Sequence, residues 1–195
     1  MNNDPVIRIA GISDAAEVSR LLKSAMLTYC ADSGISSSML EAMTESIESV
    51  ADRISRQTCL VAVSDGKIVG SICIKKVDNP LVYNFSDKTF GFLEKAGLSF
   101  YISRFAVLQK YRKTGLGIDL ITKALDIACE AGAHCVLLHS AATNKNMVEF
   151  YGKRGFKLID SENSRGYMRG LFANQIVFDT NTSQPDSSGS SLTAL

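Results

Sequence analysis

The stretch Val107-Leu108-Gln109-Lys110-Tyr111-Arg112-Lys113-Thr114-Gly115-Leu116-Gly117 decides how this chain is read. It leaves an apolar strand, crosses a basic turn with two glycines and enters an amphipathic helix. A helix start has N–H groups without intrahelical acceptors and a partial positive charge, and both favour an anion. Gly115 and Gly117 let the backbone approach a ligand closely because no side chain intervenes. Arg112 and Lys113 add full positive charge, and a guanidinium can grip a phosphate through two parallel hydrogen bonds. The spacing excludes two familiar phosphate loops. No Lys-Ser or Lys-Thr follows Gly117, as a Walker loop requires, and Leu120 stands where a dinucleotide-binding turn needs its third glycine. What remains is Arg-x-x-Gly-x-Gly, on Arg112, Gly115 and Gly117.

Working outward, Ser99 to Val107 predicts the strand that feeds this loop. Leu116, Leu120, Ile121, Ala124, Leu125 and Ala128 recur at helical spacing and predict a helix from Gly117 to Ala131, stopped by Gly132. Nearer the N-terminus, Val6 to Ala10 predicts a strand, and Leu21, Leu22, Ala25 and Met26 give the next helix its apolar face. Residues 36 to 56 predict one second helix, through Met39, Leu40, Met43, Ile47, Val50 and Ile54. Thr58 to Val63, the dipeptide Asp65-Gly66 and Ile68 to Val77 predict a tight hairpin. In the segment 78 to 97, Tyr83, Phe85, Phe90 and Phe92 read as packing beneath a loop or short helix rather than as a lid. Beyond the glycine loop, Cys135 to His139 predicts a buried strand, Ala142 to Arg154 a helix, and Phe156 to Ile159 and Tyr167 to Phe172 two strands. The order β-α-α-β-β-β-α-β-α-β-β is that of an α/β protein with an early antiparallel hairpin.

The 195 residues suit one domain, here residues 1 to 178, and the Ser-rich composition of residues 179 to 195 predicts a disordered tail. A formal net charge of +1 argues against nucleic acid as a partner. No apolar run is long enough for a membrane span, and the polar start does not read as a signal peptide. The cysteines are odd in number and contain no Cys-x-x-Cys, so neither a disulfide framework nor a metal site is expected. Cys59 and Cys73, in apolar runs, read as buried free thiols, which suits a cytoplasmic protein.

A second segment completes the pattern. Asn144-Lys145-Asn146-Met147-Val148-Glu149-Phe150-Tyr151-Gly152-Lys153-Arg154-Gly155-Phe156 places Asn144 and Tyr151 about two helical turns apart, on one face. Taken with the glycine loop, it resembles the coenzyme A segments of the GNAT (Gcn5-related N-acetyltransferase) family. The resemblance is specific over residues 100 to 157. It implies a central mixed, mostly antiparallel sheet, flanked by helices and splayed between the fourth and fifth strands. It implies acetyl-CoA as acyl donor and a primary amine, small or peptidic, as acceptor, in direct attack within a ternary complex, with no metal and with a monomer or homodimer as the working unit.

Site residues follow from the same resemblance. Val107 would offer a backbone N–H to the thioester carbonyl. Val107, Leu108 and Gln109 would pair with the pantetheine arm. Arg112, Lys113, Thr114, Gly115, Leu116 and Gly117 would hold the pyrophosphate, and Asn144 would bind or orient the arm. Tyr151 would protonate the departing thiolate. Two departures stand out. Gln109 replaces a frequent proline and so keeps a backbone donor. Tyr101-Ile102-Ser103-Arg104-Phe105-Ala106 lacks the carboxylate that many relatives carry as general base. That absence gives weight to an alternative, a non-catalytic acyl-CoA sensor or scaffold. Ser103 could hold a water; Arg104 reads as a partner for an acidic substrate group or as a solvated charge; His134 and His139 read as structural. Tyr29, Asp32, Tyr83 and Phe85 are the candidates for the acceptor wall.

Overall fold

Asp65 and Gly66 both adopt positive φ, 50° and 71°, the tight turn whose twist suits a two-residue hairpin. They join β2 (Thr58–Ser64) to β3 (Lys67–Lys76). The computed structural model, which describes residues 4–83, 85–163 and 165–176, builds the rest of the sheet around this hairpin. β1 (Val6–Ile9) pairs with the outer edge of β2, and β4 (Ser99–Val107) with β3, all antiparallel. β5 (Cys135–Ala141) joins β4 in parallel, followed by β7 (Arg169–Gln175) and β6 (Lys157–Glu162). The seven-stranded order is β1-β2-β3-β4-β5-β7-β6, the mixed, mostly antiparallel sheet that was expected.

Alternation along β2 divides the core. Leu60 and Ala62 face α5 (Leu116–Glu130), whose Leu120, Ile121 and Ala124 are fully buried. Cys59 and Val61 face α1 (Ala15–Ser33) and α3 (Ile47–Arg56) on the other side. Gly70 permits the closest approach of α5, since a Cβ there would lie 2.8 Å from Leu120 Cδ1. α4 (Asp87–Ala96) closes the β5–β7 end over Leu137 and Leu171.

Two irregularities shape the fourth strand. Ser71 faces Ala106 but Cys73 faces Ser103, so Arg104 and Phe105 together oppose Ile72 alone. This is a β-bulge, and Arg104 takes φ 52° within it. Pairing with β5 then stops at Ile102–Leu138, while β4 runs on to Val107 and β5 to Ala141. The expected splay between the fourth and fifth strands is this gap.

Four expectations need correction or lie elsewhere. The single helix over 36 to 56 is a 3-10 turn at Ser37–Met39, a short α2 (Glu41–Thr44) and α3. Glu45 turns extended between α2 and α3 with its side chain 5 % exposed, and Ser46 restarts the helix by accepting from Ser49 N–H. The helix expected from Ala142 begins at Lys145 as α6 (Lys145–Gly152), because Asn144 is its cap. Cys59 and Cys73 are joined in a disulfide rather than free, while Cys30, Cys129 and Cys135 are free. The tail from 179 to 195 lies outside the described residues. Among the described residues no helix is long and apolar enough to cross a membrane.

Candidate active site

The glycine loop forms a cradle of backbone donors. Lys113 and Gly115 adopt positive φ, 64° and 100°, and α5 starts one residue later. The first helical acceptor used is Gly115 carbonyl, which receives Ile118 and Asp119 N–H. None of the five consecutive N–H groups from Lys113 to Gly117 has a backbone acceptor among the described residues. Alternating left-handed conformations turn such groups toward one point, which makes an anion nest. Arg112 Nε donates to Val107 carbonyl at 3.2 Å, and Thr114 Oγ1 to Tyr111 carbonyl at 2.8 Å. The loop is therefore braced by its own side chains. Gly117 lies against the stacked rings of Phe105 and Phe150; a Cβ there would stand 3.4 Å from Phe105 Cζ.

From this cradle a cleft of about 1140 Å³ runs along the splay. That exceeds the usual range for one drug-sized ligand, about 300 to 1,000 Å³. Leu108 N–H donates to Val69 carbonyl of β3 at 2.9 Å. Because donors alternate along a strand, Val107 N–H points the other way, into the gap that β5 has left. Across the gap, Asn144 is 1 % exposed; its Oδ1 accepts from Met147 N–H at 3.1 Å and caps α6. Its Nδ2 is buried with no partner among the described residues. Tyr151, 5 % exposed, lies edge-on to Phe150 and Phe156, with ring centroids 5.5 and 5.8 Å away. Burial pushes its hydroxyl well above the ordinary phenol range, so it stays protonated.

The far end of the cleft holds a second group of polar side chains. Tyr101 Oη and His139 Nδ1 lie 2.8 Å apart, on the two strands that part. Burial raises the Tyr101 pKa and, with the Arg169 charge beside it, pushes that of His139 down to about 3. Tyr101 is thus the donor and neutral His139 the acceptor. Tyr29 of α1 reaches over the splay, and its hydroxyl accepts from Ala141 N–H at 2.6 Å. Arg104, in the bulge, donates to Glu45 at 2.8 Å and to Glu41 at 3.4 Å, and Arg165 reaches Glu41 at 2.6 Å. Glu45 also pairs with Arg53. Burial works to raise the Glu45 pKa, but the bonds from Arg104 and Arg53 outweigh it and hold the carboxyl below its ordinary value.

Val107, Gln109, Arg112, Lys113, Gly115, Gly117, Asn144 and Tyr151 all line this one cleft. Leu108, Thr114 and Leu116 do not: Leu108 has spent its N–H on Val69, Thr114 braces the turn, and Leu116 is a core side chain that offers only its N–H. Tyr29, Asp32 and Tyr83 line the far end of the cleft, while Phe85 packs behind it against Leu137 and Leu171. His139, set aside on sequence grounds, faces the cleft, and so does Tyr101. Arg104 is neither solvated nor free, since its side chain is 15 % exposed and ion-paired. The signal for the Tyr101–His139 pair lay in strand parity, readable only once the β4–β5 register is known.

This sheet, bulge and cleft define an acyl-CoA type of transferase fold, and sequence comparison agrees. Residues 20–156 match the model of the Acetyltransferase (GNAT) family, and the chain belongs to that family. It is 29 % identical over 100 residues to the N-alpha-acetyltransferase MAK3 of Arabidopsis thaliana, covering 51 % of this chain and 45 % of that protein. It is 36 % identical over 73 residues to human N-alpha-acetyltransferase 30, covering 37 % of this chain and 20 % of that one. The chain thus spans less than half the length of these curated relatives. Among solved structures, the PaiA N-acetyltransferase of Thermoplasma acidophilum in complex with coenzyme A superposes with TM-score 0.68 at 20 % identity, over 89 % of this chain and all of that one. A GNAT-family acetyltransferase from Streptococcus agalactiae gives TM-score 0.70 at 14 % identity, over 91 % of this chain and 100 % of that one. At these identities the structural likeness speaks for the fold.

Proposed function

We propose that the protein is an N-acetyltransferase that moves an acetyl group from acetyl-CoA to a primary amine, the α-amine of a peptide. The observation that carries this reading is the meeting of Val107 N–H and the Tyr151 phenol in one cleft whose near end is a cradle of unpaired N–H groups. The residues present suit the donor. The loop from Arg112 to Gly117 offers charge and N–H groups to a pyrophosphate. Buried Asn144 Nδ2 lacks an acceptor among the described residues, and an amide carbonyl of a pantetheine arm would supply one. When bound, acetyl-CoA brings an activated acyl carbon and a thiolate leaving group. Val107 N–H polarises the carbonyl, and Tyr151 gives its proton to sulfur and recovers one from solvent.

The missing carboxylate on β4 is answered by Tyr101 and His139. Arg104, Arg165 and Arg169 bring positive charge to this end, which disfavours an ammonium as it disfavours imidazolium. The amine therefore reacts in its neutral form. Once nitrogen has attacked, its surplus proton leaves to solvent past the Tyr101 hydroxyl, which neutral His139 holds in place by accepting from it. The α-amine as acceptor is supported by the names of the curated relatives. The test is thiol release from acetyl-CoA with a panel of peptide and small-molecule amines. Coenzyme A binding without thiol release on any of them, unchanged by Tyr151→Phe, would make the protein a binding module instead.

A further inference from the structure

Positive charge gathers at the acceptor end. Lys75, Arg104, Arg165 and Arg169 line the cleft around Tyr101 and His139. The arginines are committed: Arg104 to Glu45 and Glu41, Arg165 to Glu41, and Arg169 to Glu162 at 2.9 Å. Glu45 is shared again with Arg53. Five cations thus meet three carboxylates; Asp32, one turn from Tyr29 on α1, also lines the cleft, and Asp160, hydrogen-bonded to Ser86 and Thr89, adds a negative charge that acts on His139.

Of these cations, Lys75 is the one without an ion pair among the described residues. Its ammonium stands 5.1 Å from the centre of the Tyr83 ring. Its place in the sheet matters more. Lys75 is the direct cross-strand partner of Tyr101 in the β3–β4 register, so the two side chains share a face. The ammonium lies across the Tyr83 ring, which packs against the Tyr101 ring with centroids 4.6 Å apart. Arg165, 35 % exposed and on the loop between β6 and β7, faces the same space. Half-buried cations in such a cleft attract an anion far more strongly than fully solvated ones do.

We propose that the preferred acceptor carries a carboxylate close to its reactive amine, the acidic side chain of the second residue of a peptide, held by Lys75 with Arg165 beside it. This rests on the acetyltransferase reading above and adds the chemical class of the acceptor. A lysine at the same peptide position would meet like charge and be rejected.

The test uses the whole chain with acetyl-CoA and three peptides that share a first residue, have a blocked C-terminus, and carry Glu, Gln or Lys at the second position. Thiol release is measured as kcat/KM. The Glu peptide should exceed the Gln peptide by about tenfold, the scale of one hydrogen-bonded charge, and the Lys peptide should be the poorest. Lys75→Met should reduce the Glu-to-Gln ratio of kcat/KM from about tenfold to about one. Lys75→Glu should invert the order. If the Gln or Lys peptide equals or exceeds the Glu peptide, the carboxylate assignment falls and acetyl transfer stands. If no peptide releases thiol, both fall. Circular dichroism of each variant separates loss of preference from loss of fold.

Discussion

Tyr101 Oη sits 2.8 Å from His139 Nδ1, and the two residues flank the last rung, Ile102–Leu138, before β4 and β5 separate. The sheet itself sets their spacing, because no loop intervenes between either side chain and the paired backbone. A proton route built on strands is held more firmly than one built on loops.

Tyr101→Phe deletes the hydroxyl and should lower kcat by about a hundredfold with little change in KM for acetyl-CoA. His139→Gln should act in the same direction. Because the histidine is held neutral down to about pH 3, the wild-type kcat/KM profile should show no inflection near 6.5 that His139→Gln abolishes. Finding such an inflection would overturn the assignment.

Asn144 has two separable tasks. Its Oδ1 caps α6 and its Nδ2 is the orphaned donor. Asn144→Asp keeps the capping oxygen and removes the donor, so thermal stability should hold while affinity for coenzyme A falls. Asn144→Ala should lose both, with about 1 kcal/mol of stability gone with the cap. Isothermal titration and thermal melts together distinguish the two.

Gly117→Glu pushes a carboxylate into the nest beside Phe105 and Phe150. Like charge facing a pyrophosphate costs several kcal/mol, so coenzyme A binding should drop beyond about a hundredfold. Retained tight binding would show that the phosphate lies elsewhere.

His139 also predicts a pH dependence of stability. Its folded pKa, about 3, lies below its ordinary value of 6.5. Between those values the unfolded chain binds a proton that the folded chain refuses, so stability should fall as pH drops from 6.5 toward 3. Glu45 and Asp14, whose carboxyls are held below their ordinary values, add losses only at the acidic end of this range. Denaturant melts at pH 7 and pH 5 isolate the histidine, and His139→Leu should flatten that interval.

Much of this was legible in the chain. Periodicity located the hairpin, the strand Ser99 to Val107 and the helix after Gly117, because each has a clear apolar pattern and turn chemistry at its ends. The disulfide was hidden by a single residue. Counting back from the Asp65-Gly66 turn puts Ile72 opposite Cys59, but a bulge between Ala62 and Val63 shifts the register and brings Cys73 there instead. The break at Glu45 was equally silent, since Ile47, Val50 and Ile54 keep helical spacing on both readings. What ends the helix is a tertiary demand, the need of Arg53 and Arg104 for a buried carboxylate. Tyr101 and His139 carried no motif because their partnership is across strands, and cross-strand neighbours leave no fixed interval in sequence.

The hydroxyl of Tyr29 does for Ala141 what a neighbouring strand would have done. That single bond lets β5 keep its edge satisfied while the gap beside it stays open. It also makes one amide a natural gauge of the opening. Hydrogen–deuterium exchange at Ala141 N–H should be slow while α1 lies over the gap and should quicken whenever that helix lifts, so the traffic of an acceptor through this mouth can be timed at a backbone position that takes no part in the chemistry.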